Sequence, residues 1–369
     1  MRTSRTAALA AITISTLALA ACSSADADPQ PSASAAASTS PSAAASAATA
    51  DLGTEVTVVT HDSFAVPDDV IDAFEAETGL AVTFVAPGDG GTLVNQLILT
   101  KDQPLGDVVF GVDNTFASRA IDEGVFADYE STAPAAADAA QYAVADSSAL
   151  TAIDFSDVCL NVDTTWFEAN DVAAPTSLDD LLEPEYQGLL SVTNPATSSP
   201  GLAFLLATIA AEGDGWQDYW TALNENDLRV TSSWSDTYYT DFSAPNYGGD
   251  YPIVLSYASS PPYEVGEDGT TPTAALLDTC FRQVEYAGVL EGAANPAGAQ
   301  AVVDWMLSDE FQASIPENMY VYPVSSSVAV PEAWTEFAPL AEQPWDVAPA
   351  EISANRDEWI QQWTDIVTP

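Results

Sequence analysis

His61 is the one histidine in the chain, and Asp62 and Ser63 follow it directly. A Ser–His–Asp hydrolase would need that histidine. Neighbours along a strand point to opposite faces, however, so the three cannot easily form a relay. No Gly-x-Ser-x-Gly elbow is present either. His61 is therefore expected to be a contact or a cap rather than a base. One histidine and three cysteines leave little for a zinc or iron–sulfur centre, so no metal and no cofactor are expected. The remaining chemistry is aromatic. Trp234, Tyr238, Tyr239, Tyr257, Tyr263, Tyr320 and Tyr322 lie in stretches rich in hydroxyls. Any one of them could be core packing. Together they fall where strands end rather than at helical core spacing. Aromatic faces in a cleft stack flat heterocycles and attract cations, at about 0.5–2 kcal/mol per good contact. Asp89 and Asp113 could add negative charge or accept a hydrogen bond from an amine. The alternatives are a turn residue for Asp89 and a cap for Asp113, and for Asp113 the cap is the better account.

The elements that must position these residues alternate strand with helix. Val56–Val59 is a β-branched run, Asp62-Ser63-Phe64 is a turn, and Pro67 with Asp68 and Asp69 fits a first helical turn. Val70, Ile71 and Phe74 share one helical face until Gly79 stops it. Leu80–Val85 is the next strand, which makes a βαβ unit and a parallel sheet. Gly88-Asp89-Gly90-Gly91 reads as a tight turn, after which Thr92 can cap a helix carrying Leu93, Leu97 and Ile98. Asp107–Val112 is the third strand. Ligands in such sheets bind beyond the carboxyl ends of strands, so the loops at 60–64, 88–92 and 113–115 are expected on one rim. Further on, Ala196-Thr-Ser-Ser-Pro-Gly201 opens an apolar helix with hydroxyls suited to a cap or an anion cradle. Residues 214–229 look helical, Ile253–Ser256 reads as a strand, and Glu351–Val367 as a terminal helix. Two strand–helix systems joined by two crossings imply a hinged pair of lobes, one formed by 51–155 plus 264–325 and the other by 156–257. Residues 326–369 would pack on both, and a cleft between such lobes closes by hinge motion.

Composition sets the compartment and excludes several partners. Residues 1–21 combine Arg2 and Arg5 with an apolar run, the pattern of a secretory signal peptide. Leu19-Ala20-Ala21-Cys22 resembles a bacterial lipobox, which would diacylate Cys22 and anchor the protein to the outer face of the cell membrane. Residues 22–50 then form a flexible Ser/Ala/Pro tether. Cys159 and Cys280 remain. An oxidising compartment favours a disulfide between them over two buried thiols. The chain carries 7 Lys and Arg against 55 Asp and Glu, a net charge of −48. Such a surface repels phosphate backbones, which argues against nucleic acid. It also fits adaptation to a salty medium, so it says little about function.

Five segments in order carry a resemblance: Val58-Val-Thr-His-Asp-Ser-Phe64, Phe84-Val-Ala-Pro-Gly-Asp-Gly90, Asp107-Val-Val-Phe-Gly-Val-Asp-Asn114, Asn194-Pro-Ala-Thr-Ser-Ser-Pro-Gly-Leu202 and Leu255-Ser-Tyr-Ala-Ser-Ser-Pro261. With them the chain, from about 55 to 365, resembles the thiamine-binding subunits of ABC importers. The resemblance implies an α/β, two-lobed periplasmic-binding-protein-like fold of class II type. It also implies a non-enzymatic, monomeric lipoprotein that hands thiamine or its phosphates to a permease. Asp89 and Gly90 would face the ligand from the first lobe. Ser198 and Ser199 would meet its hydroxyl or phosphate end. Trp234 and Tyr257, Ala258, Ser259 and Ser260 would line the second lobe, and Tyr263 would stack on the pyrimidine. The family usually has a tyrosine where His61 stands and a tryptophan near Tyr320, so these two are expected as ring contacts. One rival function is a ferric-ion receptor, because Tyr238-Tyr239 resembles the paired tyrosines of a related receptor family. A second is an extracellular hydrolase using His61 and Ser63, and a third is a purely adhesive surface lipoprotein.

Overall fold

The computed structural model describes residues 51–145 and 147–367. The signal peptide, Cys22 and the tether lie outside the described residues. Among those described, no helix is long and apolar enough to cross a membrane.

The first unit is β1 (Glu55–His61), α1 (Asp68–Thr78), β2 (Ala81–Gly88), α2 (Gly90–Leu99), β3 (Val108–Asp113) and α3 (Ala117–Asp122). β1 pairs in parallel with both β2 and β3. Short β4 (Phe126–Ala127) and α4 (Ala136–Ala139) lead into long β5 (Thr151–Asp163). Then come α5 (Thr164–Asn170), β6 (Leu190–Thr193), α6 (Ser199–Glu212), α7 (Trp216–Glu225), β7 (Arg229–Thr231), α8 (Trp234–Asp236) and β8 (Ile253–Tyr257). The chain returns through β9 (Thr273–Leu290), α9 (Pro296–Met306), α10 (Asp309–Asn318), β10 (Tyr322–Pro323), α11 (Glu332–Phe337) and α12 (Pro349–Val367).

One mixed sheet runs through the whole body in the order β2-β1-β3-β9-β5-β8-β6-β7. β5 and β9 make it continuous. The late part of β9 pairs with β3, most of it from Thr273 to Ala287 pairs with β5, and the late part of β5 pairs with β8. Two parallel half-sheets, β2-β1-β3 and β8-β6-β7, are thus joined by one antiparallel pair of long strands. That pair breaks register between Val158 and Leu160, which oppose Phe281 and Leu276. Residues 277–280 bulge there, and Cys159 is bonded to Cys280 at that point. Each half-sheet is covered by its own apolar helix face. Leu93, Val94 and Leu97 of α2 are buried, as is almost all of α6 from Ser199 to Ile209. At the far end of the chain, α12 packs on α7 and α3, with Trp363 edge-on to Trp220 at 5.5 Å and Arg356 5.4 Å from the Phe116 ring.

Three local expectations need correction. Asp89, not Thr92, caps α2, so Gly90 and Gly91 are its first residues instead of a turn. They are helical because nothing larger fits. A Cβ on Gly90 would overlap the Ser199 side chain. The helix expected over 214–229 is divided, with Leu228 leaving it and Arg229–Thr231 joining β6 as a strand. Pro67 precedes α1 as its cap residue.

The disulfide closes a loop of 121 residues that includes β6, β7 and β8. Closing a loop of that size removes chain entropy from the unfolded state equivalent to about 3–5 kcal/mol. Replacing both cysteines by serine is expected to lower unfolding free energy by that order in urea titrations, and reductant is expected to bring the unsubstituted protein to the same midpoint.

Candidate functional site

The carboxyl ends of β1 and β2, the starts of α2, α6 and α8, the end of β8 and the middle of β9 converge on one cavity of about 320 Å³. Its wall includes His61, Asp89, Gly90, Ser199, Trp234, Tyr257, Ser260, Tyr263 and Tyr320. These residues come from both half-sheets, so the cavity lies between them.

Asp89 ties the two sides together. Its Oδ2 accepts the Trp234 amide at 2.9 Å and its Oδ1 accepts the Ser199 amide at 3.3 Å. Both donors begin helices of the opposite half. Next to this bridge the Thr92 amide donates to the Thr197 carbonyl at 3.0 Å. Burial pushes the Asp89 carboxyl up to about 6, and the amides of Trp234 and Gly90 hold that rise in check.

Aromatic rings dominate the second side. Trp234 stacks on Tyr238 at 5.2 Å and meets Tyr239 and Tyr257 edge-on. Its indole N–H donates to Ser256 Oγ, which in turn bonds Ser260 Oγ at 2.7 Å. This chain fixes the indole plane. Tyr263 and Tyr320 meet edge-to-face at 4.6 Å near the opening. Tyr320 has φ +53°, a left-handed conformation unusual for a bulky residue. Its carbonyl is held by Ser259 Oγ at 2.6 Å, and Ser259 is held by Ser156 at 2.7 Å.

On the first side, His61 Nδ1 accepts the Ser63 amide at 3.1 Å, and Nε2 lies 3.4 Å from Glu285 Oε1. Gly111, with φ +96°, packs under the imidazole where any Cβ would collide with the ring. Burial lowers the His61 pKa to about 4. The Ser63 hydroxyl bonds Asp62 and Ser235 rather than the imidazole, so no nucleophile–base pair forms.

Three expected contacts do not reach the cavity wall. Ser198 is the buried cap of α6, with its hydroxyl accepting from Gly201. Ala258 packs against the disulfide. Ser259 acts behind Tyr320 as described. The loop at 113–115 is also turned inward. Asp113 Oδ1 accepts the amides of Thr115 and Phe116, and Asn114 bonds the β9 backbone at Arg282 and Val284. The residues not singled out in advance include Gln283 and Glu285 on β9, Ala65, Ser235, and Asn318, Met319 and Val321 beside Tyr320. The alternation of Gln283 and Glu285 in a strand puts both on one face, which was the available signal.

Tyr238 and Tyr239 both line the cavity. Tyr238 is 2% exposed and donates its hydroxyl to Glu264 at 3.1 Å. Burial beside Glu264 raises its pKa well above the ordinary tyrosine value, which opposes the tyrosinate that iron requires. Among the described residues, no group of three or more His, Cys, Asp or Glu could hold a metal ion.

Comparison with known proteins bears on the same geometry. The family described as bacterial extracellular solute-binding protein matches residues 103–348. The thiamine-binding periplasmic protein of Escherichia coli K12 is 30% identical over 320 residues, covering 85% of this chain and 93% of that one. The thiamine-binding periplasmic protein of Brucella melitensis is 28% identical, over 84% and 91% of the two chains. Among solved structures, a periplasmic thiamin binding protein superposes with a TM-score of 0.74 at 29% identity, covering 85% of this chain and 96% of that one. Iron-bound HitA from Pseudomonas aeruginosa gives 0.68 at 21% identity, over 85% and 99% of the chains, and shares the fold alone.

Because His61 is neutral when folded, its protonation in the unfolded chain between about pH 6.5 and 4 costs stability as pH falls. The loss begins near the unfolded pKa, grows as acid is added, and levels off below about 4. His61→Gln is expected to remove this component. Urea titrations of both proteins across that window should show the parent losing up to about 3 kcal/mol relative to the variant.

Proposed function

Since the chain belongs to the bacterial extracellular solute-binding protein family, we propose that this binding protein, which is not an enzyme, captures thiamine outside the cytoplasm and delivers it to an ABC importer. The observation that carries this reading is the pairing of an aromatic wall with carboxyl groups in one cavity of suitable size. Thiamine offers a flat aminopyrimidine, a cationic thiazolium and a hydroxyethyl tail. The rings of Trp234, Tyr257, Tyr263 and Tyr320 suit the flat and cationic parts. Ser199, at the start of α6, suits a hydroxyl or a phosphate on the tail. The names of the Escherichia coli and Brucella relatives support the same ligand.

Capture would work by hinge motion about β5 and β9, between lobes made by 51–155 plus 264–325 and by 156–257. The Asp89 bridge would form as the cleft shuts. Cys22 would anchor the protein to the outer face of the membrane through its lipid, and the protein would act as a monomer.

Calorimetric titration with thiamine is expected to give saturable heat and a raised melting temperature. No heat and no shift would sink the proposal. Asp89→Ala removes the acceptor for both bridging amides and is expected to weaken binding about tenfold or more. Tyr263→Ala is expected to weaken it by roughly two- to thirtyfold through loss of one aromatic face. Ferric citrate is expected to raise no visible tyrosinate–iron band, whereas such a band would favour an iron receptor.

A further inference from the structure

Three carboxyl groups lie in one row across three neighbouring strands. Asp113 of β3 is in register with Glu285 of β9, and Glu285 is in register with Asp154 of β5. Residues directly opposite on paired strands present side chains to the same face, with Cβ atoms roughly 4.5–5.5 Å apart, and like charges so placed repel. Asp113 and Asp154 are fully buried, and Glu285 is 8% exposed. Such a row costs stability and has to be compensated by something.

The chain's own cations do not compensate it. The five basic side chains among the described residues are all engaged elsewhere. Lys101 pairs with Glu123, Arg119 with Asn95, Arg229 with Asp241, Arg282 with Asp157 and Arg356 with Asp357. None of the five lines the cavity. Asp113 places one oxygen on the amides of Thr115 and Phe116. No amide, hydroxyl or basic side chain donates to either oxygen of Asp154. Glu285 faces the cavity, and two groups approach it: the His61 imidazole at 3.4 Å, which burial keeps neutral, and the Asp154 carboxyl, which is hydrogen-bonded to it. The other ionisable groups around Glu285 are acidic or phenolic: Asp113, Asp154, Asp89 at the start of α2, and Tyr257 at the end of β8. Burial and these neighbours raise its pKa, so an uncompensated charge here is costly.

Glu285 is the member of the row that a solute can touch. We propose that Glu285, backed by Asp154 and Asp113, is the residue by which the cavity selects a positively charged solute, its carboxylate pairing with the cationic ring while the aromatic walls take the flat surfaces. This rests on the thiamine reading above and assigns charge recognition within it to one side chain. Asp89 is spent on the Trp234 and Ser199 amides across the cleft and is not free for that role. A cation against Glu285 supplies the one thing the row lacks. A neutral solute of the same shape would leave the row as it is.

The test compares thiamine with its neutral analogue, in which a thiophene replaces the thiazolium, by calorimetric titration on the parent protein, Glu285→Gln and Glu285→Asp. The parent is expected to bind thiamine about tenfold or more tighter than the analogue. Glu285→Gln should bring that ratio close to one while keeping affinity for the analogue within roughly twofold of the parent's, which also shows that the cavity is intact. Glu285→Asp should restore part of the preference. A parent that binds thiamine and analogue equally overturns the inference and leaves thiamine as the ligand. So does a Glu285→Gln protein that keeps the parent's ratio. A parent that binds neither compound overturns the thiamine reading together with the inference.

Discussion

A carboxylate enclosed in a cleft must find hydrogen-bond donors, and Asp89 finds them on the far wall. Everything else about the site is arranged around that requirement. Asp89 caps α2 and so sits at a helix N-terminus, where its charge is favoured. The amides it accepts are themselves the first free N–H groups of α6 and α8, which need an acceptor because no preceding turn supplies one. One side chain thereby satisfies the starts of three helices. It can do this only when the two half-sheets face each other closely. Gly90 and Gly91 allow that approach, since side chains there would overlap Ser199 and the backbone at Ala196 and Thr197.

The same contacts divide labour among the acids. The global excess of 55 acidic over 7 basic residues is a surface property, and screening limits its reach to about 8 Å at physiological salt. The acidic row beside the cavity has a different origin. It comes from strand register, which brings Asp113, Glu285 and Asp154 together. Most exposed acids could change without altering that row. A one-residue slip of β9 would dismantle it, because every side chain would pass to the other face. The thirteen β9 residues in register with β3 or β5 make such a slip costly, and the Cys159–Cys280 bond pins the strands beside the bulge.

How much of this was legible beforehand follows from what each feature depends on. Local chemistry was readable. The βαβ start, the strand at Ile253–Ser256 and the terminal helix follow from hydrophobic period and helix stop signals, and His61, Asp89, Ser199, Trp234 and Tyr263 were placed on loops that do line the cavity. The cap of α2 was misassigned because Gly-Asp-Gly-Gly looks like a turn until a neighbour crowds it. Asn114 was expected on the rim because it ends a strand. It turns inward because its amide completes the hydrogen bonds of β9, a partner 168 and more residues away in sequence. Ser259 reads as a contact in the sequence, yet its hydroxyl supports the left-handed Tyr320 from behind. Glu285 was passed over because an isolated acid in an acidic chain carries no local mark. Its meaning is set by which residues stand opposite it.

That last distinction bears on how a shared fold serves different solutes. The fold is common to this chain and to iron-bound HitA at 21% identity, so it does not by itself determine what is bound. The discriminating features are few and local. Tyr238 is committed to Glu264 rather than free to ligate. Trp234 is fixed in plane by the Ser256–Ser260 pair. The β9 face offers Gln283 and Glu285, with no Lys or Arg on the wall. An anion would meet this surface with nothing but helix starts in its favour, and Asp89 already occupies two of them. On the proposed reading, an organic cation with a flat ring would meet rings on one side and the Glu285 carboxyl, with no Lys or Arg beside it, on the other. The scaffold supplies the cleft, and the few side chains that line it distinguish one solute from another.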